Sequence, residues 1–179
     1  MGCDIHAFVE FKDKKDKRND PYWRSYSDEI DLGRNYYMFG CLTNGNVRQS
    51  VKLKNGVDPK GLPDKVSFTV EVASTLYITK TGEGDNETTL EKAKKWAEGG
   101  RCKLHYRDSD PTNPFRVDHP DWHNHSWLTC DEYGAIIKEA KKNKDDDEWV
   151  GVDYLATLDL MKSFDKRGMD VRLVFYFDN

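Results

Sequence analysis

The chain has 179 residues, a formal net charge of −4 and 34% charged residues, enough sequence to bury a real core as a single domain, 1–179. The acidic balance excludes a general binder of long nucleic acid, which needs a basic face to release counterions. No apolar run approaches the roughly 18 residues of a membrane span, and no basic stretch followed by an apolar one marks a secretory leader, so a cytoplasmic protein is expected.

The opening, MGCDIHAFVEF, alternates. Ile5, Ala7, Val9 and Phe11 share one parity; Asp4, His6, Phe8 and Glu10 share the other. As a strand it has one apolar face and one carrying two acids and an imidazole. Gly2 does not complete a myristoylation pattern, because His6 stands where Ser or Thr is needed. The charged run KDKKDKRNDP (12–21) reads as a turn and YWRSYS (22–27) as the returning strand of a hairpin. RNYYMFGCL (34–42) predicts a short buried helix, ended by Asn44 and Gly45.

Residues 64–78 are readable two ways. Val66, Phe68, Val70 and Val72 alternate like a strand, while Ser67, Glu71 and the preceding Pro63 allow a helix. TGEGDN (81–86) is a loop, and Thr88 with Glu91 forms a capping box for a helix closed by Gly99. The stretch 101–127 is polar and aromatic without clear periodicity and reads as a long irregular, functional segment. A second capping box, Thr129 with Glu132, opens a helix to about Asn143; another covers 153–166. In DVRLVFYFDN, Val171, Leu173, Phe175 and Phe177 share one parity and predict a strand paired with the first. The expected fold is therefore α+β: one sheet containing both terminal strands, with helices packed on one face.

Cys3, Cys41, Cys102 and Cys130 are scattered without a CxxC pair and read as free thiols. His119, His123 and His125 are dense, but Pro120 opposes a helix that would aim them at one ion, so no metal and no cofactor is expected. The alternative chemistry is metal-free acid–base catalysis, in which two histidines divide the proton transfers of phosphodiester cleavage. His6 and His125 suit that division, with Asp4 placed to hold the His6 tautomer. Arg34, Arg48 and Arg172 are the candidate phosphate partners. Tyr36, Tyr37, Trp122 and Trp127 are candidate base platforms, with core or rim packing as their ordinary alternative.

MGCDIHAFVE, GRNYYMFGCLTNGNVR, KGLPDKVS, HNHSWLTCDE and VRLVFYFDN occur in that order. Together they resemble a family of small bacteriophage and prophage proteins that open with MGCDIH. Asp4, His6, Arg34, Arg48, His125, Ser126 and Trp127 fall on the shared blocks, and Lys60 stands where that family carries Arg. Residues 79–115 read as an elaboration of this chain. The resemblance implies a phage protein working in the host cytoplasm, and by analogy of class one that acts on a nucleotide signal of host defence. Three functions follow as expectations. The first is cleavage of a cyclic oligonucleotide by His6, His125 and Asp4, with Arg34, Arg48, Tyr36, Ser126 and Trp127 holding the ligand. The second is a sponge that sequesters a cyclic nucleotide or an ADP-ribose derivative without turnover, often as a homo-oligomer enclosing it. The third is a structural or regulatory phage protein.

Overall fold

The computed structural model describes residues 2–15, 22–47, 51–100, 102–144 and 149–178. The fold is α+β. It divides into two compact units, 1–68 with 123–179, and 69–122.

The first unit is built on a sheet of order β2-β1-β8-β7, with β1 at Ile5–Asp13, β2 at Arg24–Ser25, β7 at His123–Thr129 and β8 at Met169–Phe177. The terminal strands pair antiparallel along their whole length, from Ile5 opposite Phe177 to Asp13 opposite Met169. Ile5, Ala7, Val9, Leu173, Phe175 and Phe177 fill one face and pack with three helices: α1 at Tyr36–Leu42, α4 at Cys130–Lys144 and α5 at Val152–Lys166. Both terminal strands and these helices lie where the apolar alternation and the helical spacing predict.

Local chemistry fixes the helix ends. The Asn35 side chain accepts from Met38 N–H at the start of α1 and donates to the Trp149 and Val150 carbonyls ahead of α5. At α4 the capping box closes in both directions: Glu132 N–H donates to Thr129 Oγ1, and Thr129 N–H to the Glu132 carboxylate.

The other face of this sheet is not the wet surface that its polar residues suggest. Phe8, Glu10, Val174 and Tyr176 are all buried. The segment KGLPDKVS lies along it: Gly61 N–H donates to the His125 carbonyl and Lys60 N–H to Ser126 Oγ. Farther along, Ser67 N–H donates to Glu10, and Arg172 donates to the Lys65 carbonyl.

The second unit holds a sheet that the sequence reading lacks, of order β4-β3-β6-β5. Its strands are β3 at Thr75–Thr79, β4 at Glu87–Thr89, β5 at Leu104–Arg107 and β6 at Asp110–Asp118. Much of the stretch expected to be irregular is thus strand. The ambiguous segment resolves into both readings in turn, helix α2 at Phe68–Ser74 followed directly by β3. Helix α3, Leu90–Glu98, is capped by Thr89 rather than Thr88. Residues 79–115 lie inside this unit.

Candidate functional site

The polar residues of MGCDIH meet the ends of β8 and β7. Asp4 and Asp178 close the last rung of the β1–β8 ladder: Asp4 N–H donates to Asp178 Oδ1 at 2.8 Å, and Asp178 N–H to the Asp4 carbonyl at 3.2 Å. Just before α1, Arg34 grips the Asp4 carboxylate with Nε and Nη2, at 2.7 and 2.6 Å. That bidentate pair holds the Asp4 carboxyl below its ordinary pKa. Gly2 makes room for it, since a Cβ there would come within 2.7 Å of Arg34 Nη1.

The sequence assigned Asp4 to hold the His6 tautomer, but its carboxylate is taken by Arg34. Two other carboxylates meet the ring: Glu29 Oε2 lies 3.0 Å from Nδ1, and Asp178 Oδ2 lies 3.5 Å from Nε2. Glu29 arrives because the hairpin continues past β2, where Ile30 N–H donates to the Ala7 carbonyl and sets the preceding residue beside His6. The His6 side chain keeps 20% of its surface exposed.

The register puts Tyr176 opposite His6. The two rings stack at 5.2 Å, and the His125 ring lies 5.2 Å from Tyr176. His6, Tyr176 and His125 thus form a row across β1, β8 and β7. The backbones of the two histidines are separated by two strand spacings, about 10 Å. Burial first, and then the Glu29 carboxylate, raises the Tyr176 phenol well above its ordinary pKa.

A break in the β7 register between His123 and Ser126, with Asn124 at φ 51°, turns the strand at this point. It brings a third histidine to the same end. His123 Nε2 lies 3.3 Å from the Asp178 carbonyl and its ring stacks on Phe177.

The remaining expected site residues are dispersed. Ser126 is buried and its hydroxyl accepts from Lys60 N–H. Tyr36 packs edge-on against Phe39 at the start of α1. Trp127 lies farther along β7, covered by Lys60 Nζ at 4.0 Å from its ring centre. Lys60 also reaches both oxygens of Glu132 at 2.7 Å. Arg172 is not a surface cation; it is buried against Glu10, 2.6 Å from its carboxylate. Arg48 lies outside the described residues. Among the described residues, no group of three or more His, Cys, Asp or Glu side chains is arranged to hold a metal ion. Nor, among the described residues, is any helix long and apolar enough to cross a membrane.

Glu29, Tyr176 and Asp178 were not candidates from the sequence, and His123 was one only as a metal ligand. Tyr176 and Asp178 were within reach, because aligning the ends of two antiparallel terminal strands sets them beside His6 and Asp4. Comparison of the chain with protein-family models, with curated proteins and with solved structures gave no match.

Proposed function

We propose that the His6–Tyr176–His125 row is an acid–base site that cleaves a phosphodiester in a cyclic nucleotide of host defence, without a metal, and that the protein is a phage counter-defence enzyme. One observation carries the reading: a part-exposed imidazole is oriented by Glu29 on one nitrogen, with a second imidazole on the far side of a shared aromatic ring. The resemblance of the five sequence blocks to phage proteins supplies the biological setting.

In this scheme Glu29 fixes the His6 tautomer through Nδ1, and Nε2 exchanges the proton once substrate displaces its 3.5 Å contact with Asp178 Oδ2. His6 takes the proton of the attacking hydroxyl as its oxygen bonds to phosphorus. The imidazolium of His125 gives a proton to the departing oxygen as the original P–O bond breaks. Arg34 is tied to Asp4 through Nε and Nη2, which leaves Nη1 for a phosphate oxygen.

A second reading, binding without turnover, is favoured by the β8 strand standing between the two histidines. Incubation with a panel of cyclic dinucleotides and ADP-ribose isomers, followed by heat denaturation, separates the two. We expect altered nucleotide from the wild type, with or without a chelator. We expect intact, retained nucleotide from His6→Ala. Intact ligand released by the wild type establishes sequestration instead, and no retention removes both readings.

A further inference from the structure

Four residues along β8 from Tyr176, about 13 Å away, the same face of the sheet carries a different arrangement. A cavity of about 310 Å³ opens there between Trp23 and Trp127, with Arg172 in its lining and Asp131, Asp165 and Asp170 around it. The Arg172 side chain is 7% exposed. Its Nε and Nη2 are committed to Glu10, and Nη2 also to the Lys65 carbonyl. Its Cζ lies 3.7 Å from the Trp23 ring centre. Nη1 makes no hydrogen bond among the described residues and, unlike most of the side chain, is not closed off from solvent. Burial is already strong enough to lower the pKa of this guanidinium.

The lining restricts what could pair with Nη1. Lys14 lines the cavity too, but three carboxylates beside it disfavour a phosphate or a carboxylate ligand, and a cation would oppose Arg172. Lys14 holds Asp165 at 2.8 Å and Lys12 lies 3.8 Å from Asp170, whereas Asp131 meets Lys14 only through its charge. The fitting ligand is planar and neutral, with acceptors on one edge and donors on another. Guanine meets each condition: O6 and N7 accept from an arginine, and N1–H with the N2 amino group donates to one carboxylate. Adenine lacks the N1–H donor and places its N6 donor beside N7, on the edge that would face Arg172. The volume lies at the small end of ligand pockets and suits one base rather than an oligonucleotide.

We propose that this cavity is a guanine-binding pocket, with Arg172 Nη1 meeting the O6/N7 edge, Asp131 meeting N1–H and N2–H, and the two indoles as walls. It does not depend on the acid–base site, and its test reads binding rather than turnover. The full chain is titrated with guanosine, inosine, adenosine and cytidine while tryptophan fluorescence and calorimetric heat are followed. Guanosine should bind saturably and at least tenfold more tightly than adenosine or cytidine, with inosine, which lacks the N2 amino group, between them. Replacing Arg172 endangers the Glu10 pair and hence folding, so the deciding variant is the exposed Asp131→Asn. It should keep the wild-type circular dichroism and lose the guanosine preference by tenfold or more. No saturable binding of guanosine, equal binding of adenosine, or an Asp131→Asn variant with unchanged preference would each overturn the proposal.

Discussion

Both units of this protein rest on a four-stranded sheet, but they hold it together differently. In the first, two nine-residue strands pair without interruption, and their inward residues meet three helices in one continuous apolar cluster. In the second, β5 and β6 shift register twice, and Leu76, Ala93 and Val117 form a small buried apolar cluster among the described residues. Its largest buried side chain is a cation: Arg116 stacks at 3.6 Å on Tyr77, lies 3.0 Å from Glu71 and donates to Thr75. Since apolar stabilisation scales with area buried, the first unit should resist unfolding by its core. The second depends more on polar contacts, which give little net stability each.

The largest test of that difference is a pair of truncations. Phe175→Ala empties a fully buried site in the first unit and should cost about 3–5 kcal/mol. Val117→Ala in the second removes two methyl groups from a small cluster and should cost roughly 1–2 kcal/mol. Urea unfolding gives both numbers, and hydrogen exchange should show the second loss confined to residues 69–122. Equal costs would remove the distinction between the units.

Buried charge sharpens the same comparison. Glu10 is wholly buried against Arg172, so Glu10→Ala leaves an uncompensated guanidinium and should cost about 3 kcal/mol. Glu71, the partner of Arg116, keeps a third of its side chain exposed, and solvent should limit Glu71→Ala to about 1 kcal/mol. Urea midpoints for the two variants test this. A Glu71 effect as large as that of Glu10 would mean that Arg116 is the keystone of its unit.

Acid reaches the first unit through its helix cap. Burial tends to raise the Glu132 pKa, but bonds from Lys60 and Thr129 outweigh it and leave the carboxyl below its ordinary 4.5. A carboxyl with a lowered folded-state pKa adds stability above its unfolded value, and that stability is lost as pH falls through the folded one. Asp4, lowered by Arg34, has the same sign. The unfolding midpoint should therefore be flat from neutrality to about pH 5 and fall below it. Glu132→Gln should flatten the decline by about 1 kcal/mol. An unchanged slope in that variant would assign the acid sensitivity elsewhere.

The first unit was legible in the sequence because its signals agree. Alternation in IHAFVEF and VRLVFYF, the capping box at Thr129 and the helical spacing of Leu155 and Leu158 all point to the structure observed. The second unit was not, because its strands break the rules that reveal strands. β6 contains Pro111 and Pro114, yet it pairs with β3 only through residues 116–118, so neither proline interrupts that ladder. The bulges in β5 scramble its alternation. The site divides in the same way. Asp4, His6 and Arg34 were visible as polar residues in strand or helix-start positions, and His125 as one of a dense run of histidines in a stretch without periodicity. Glu29 sits in a loop without pattern, and only the Ala7–Ile30 bridge places it at His6.

The smallest effect tests where the second unit's helix begins. Thr88 satisfies the spacing of a capping box with Glu91, but Thr89 is the cap: its hydroxyl accepts from Lys92 N–H at 3.4 Å. That bond is long, so Thr89→Val should cost only roughly 0.5–1 kcal/mol. Thr88 is 2% exposed, and its hydroxyl has no partner among the described residues. Replacing it with the isosteric valine removes an unsatisfied polar group and should be neutral or stabilising by a few tenths of a kcal/mol. Urea denaturation of the two variants should thus shift in opposite directions or differ by about 1 kcal/mol. If Thr88→Val is the more damaging, the helix starts one residue earlier, and the capping box read from the sequence is the real one.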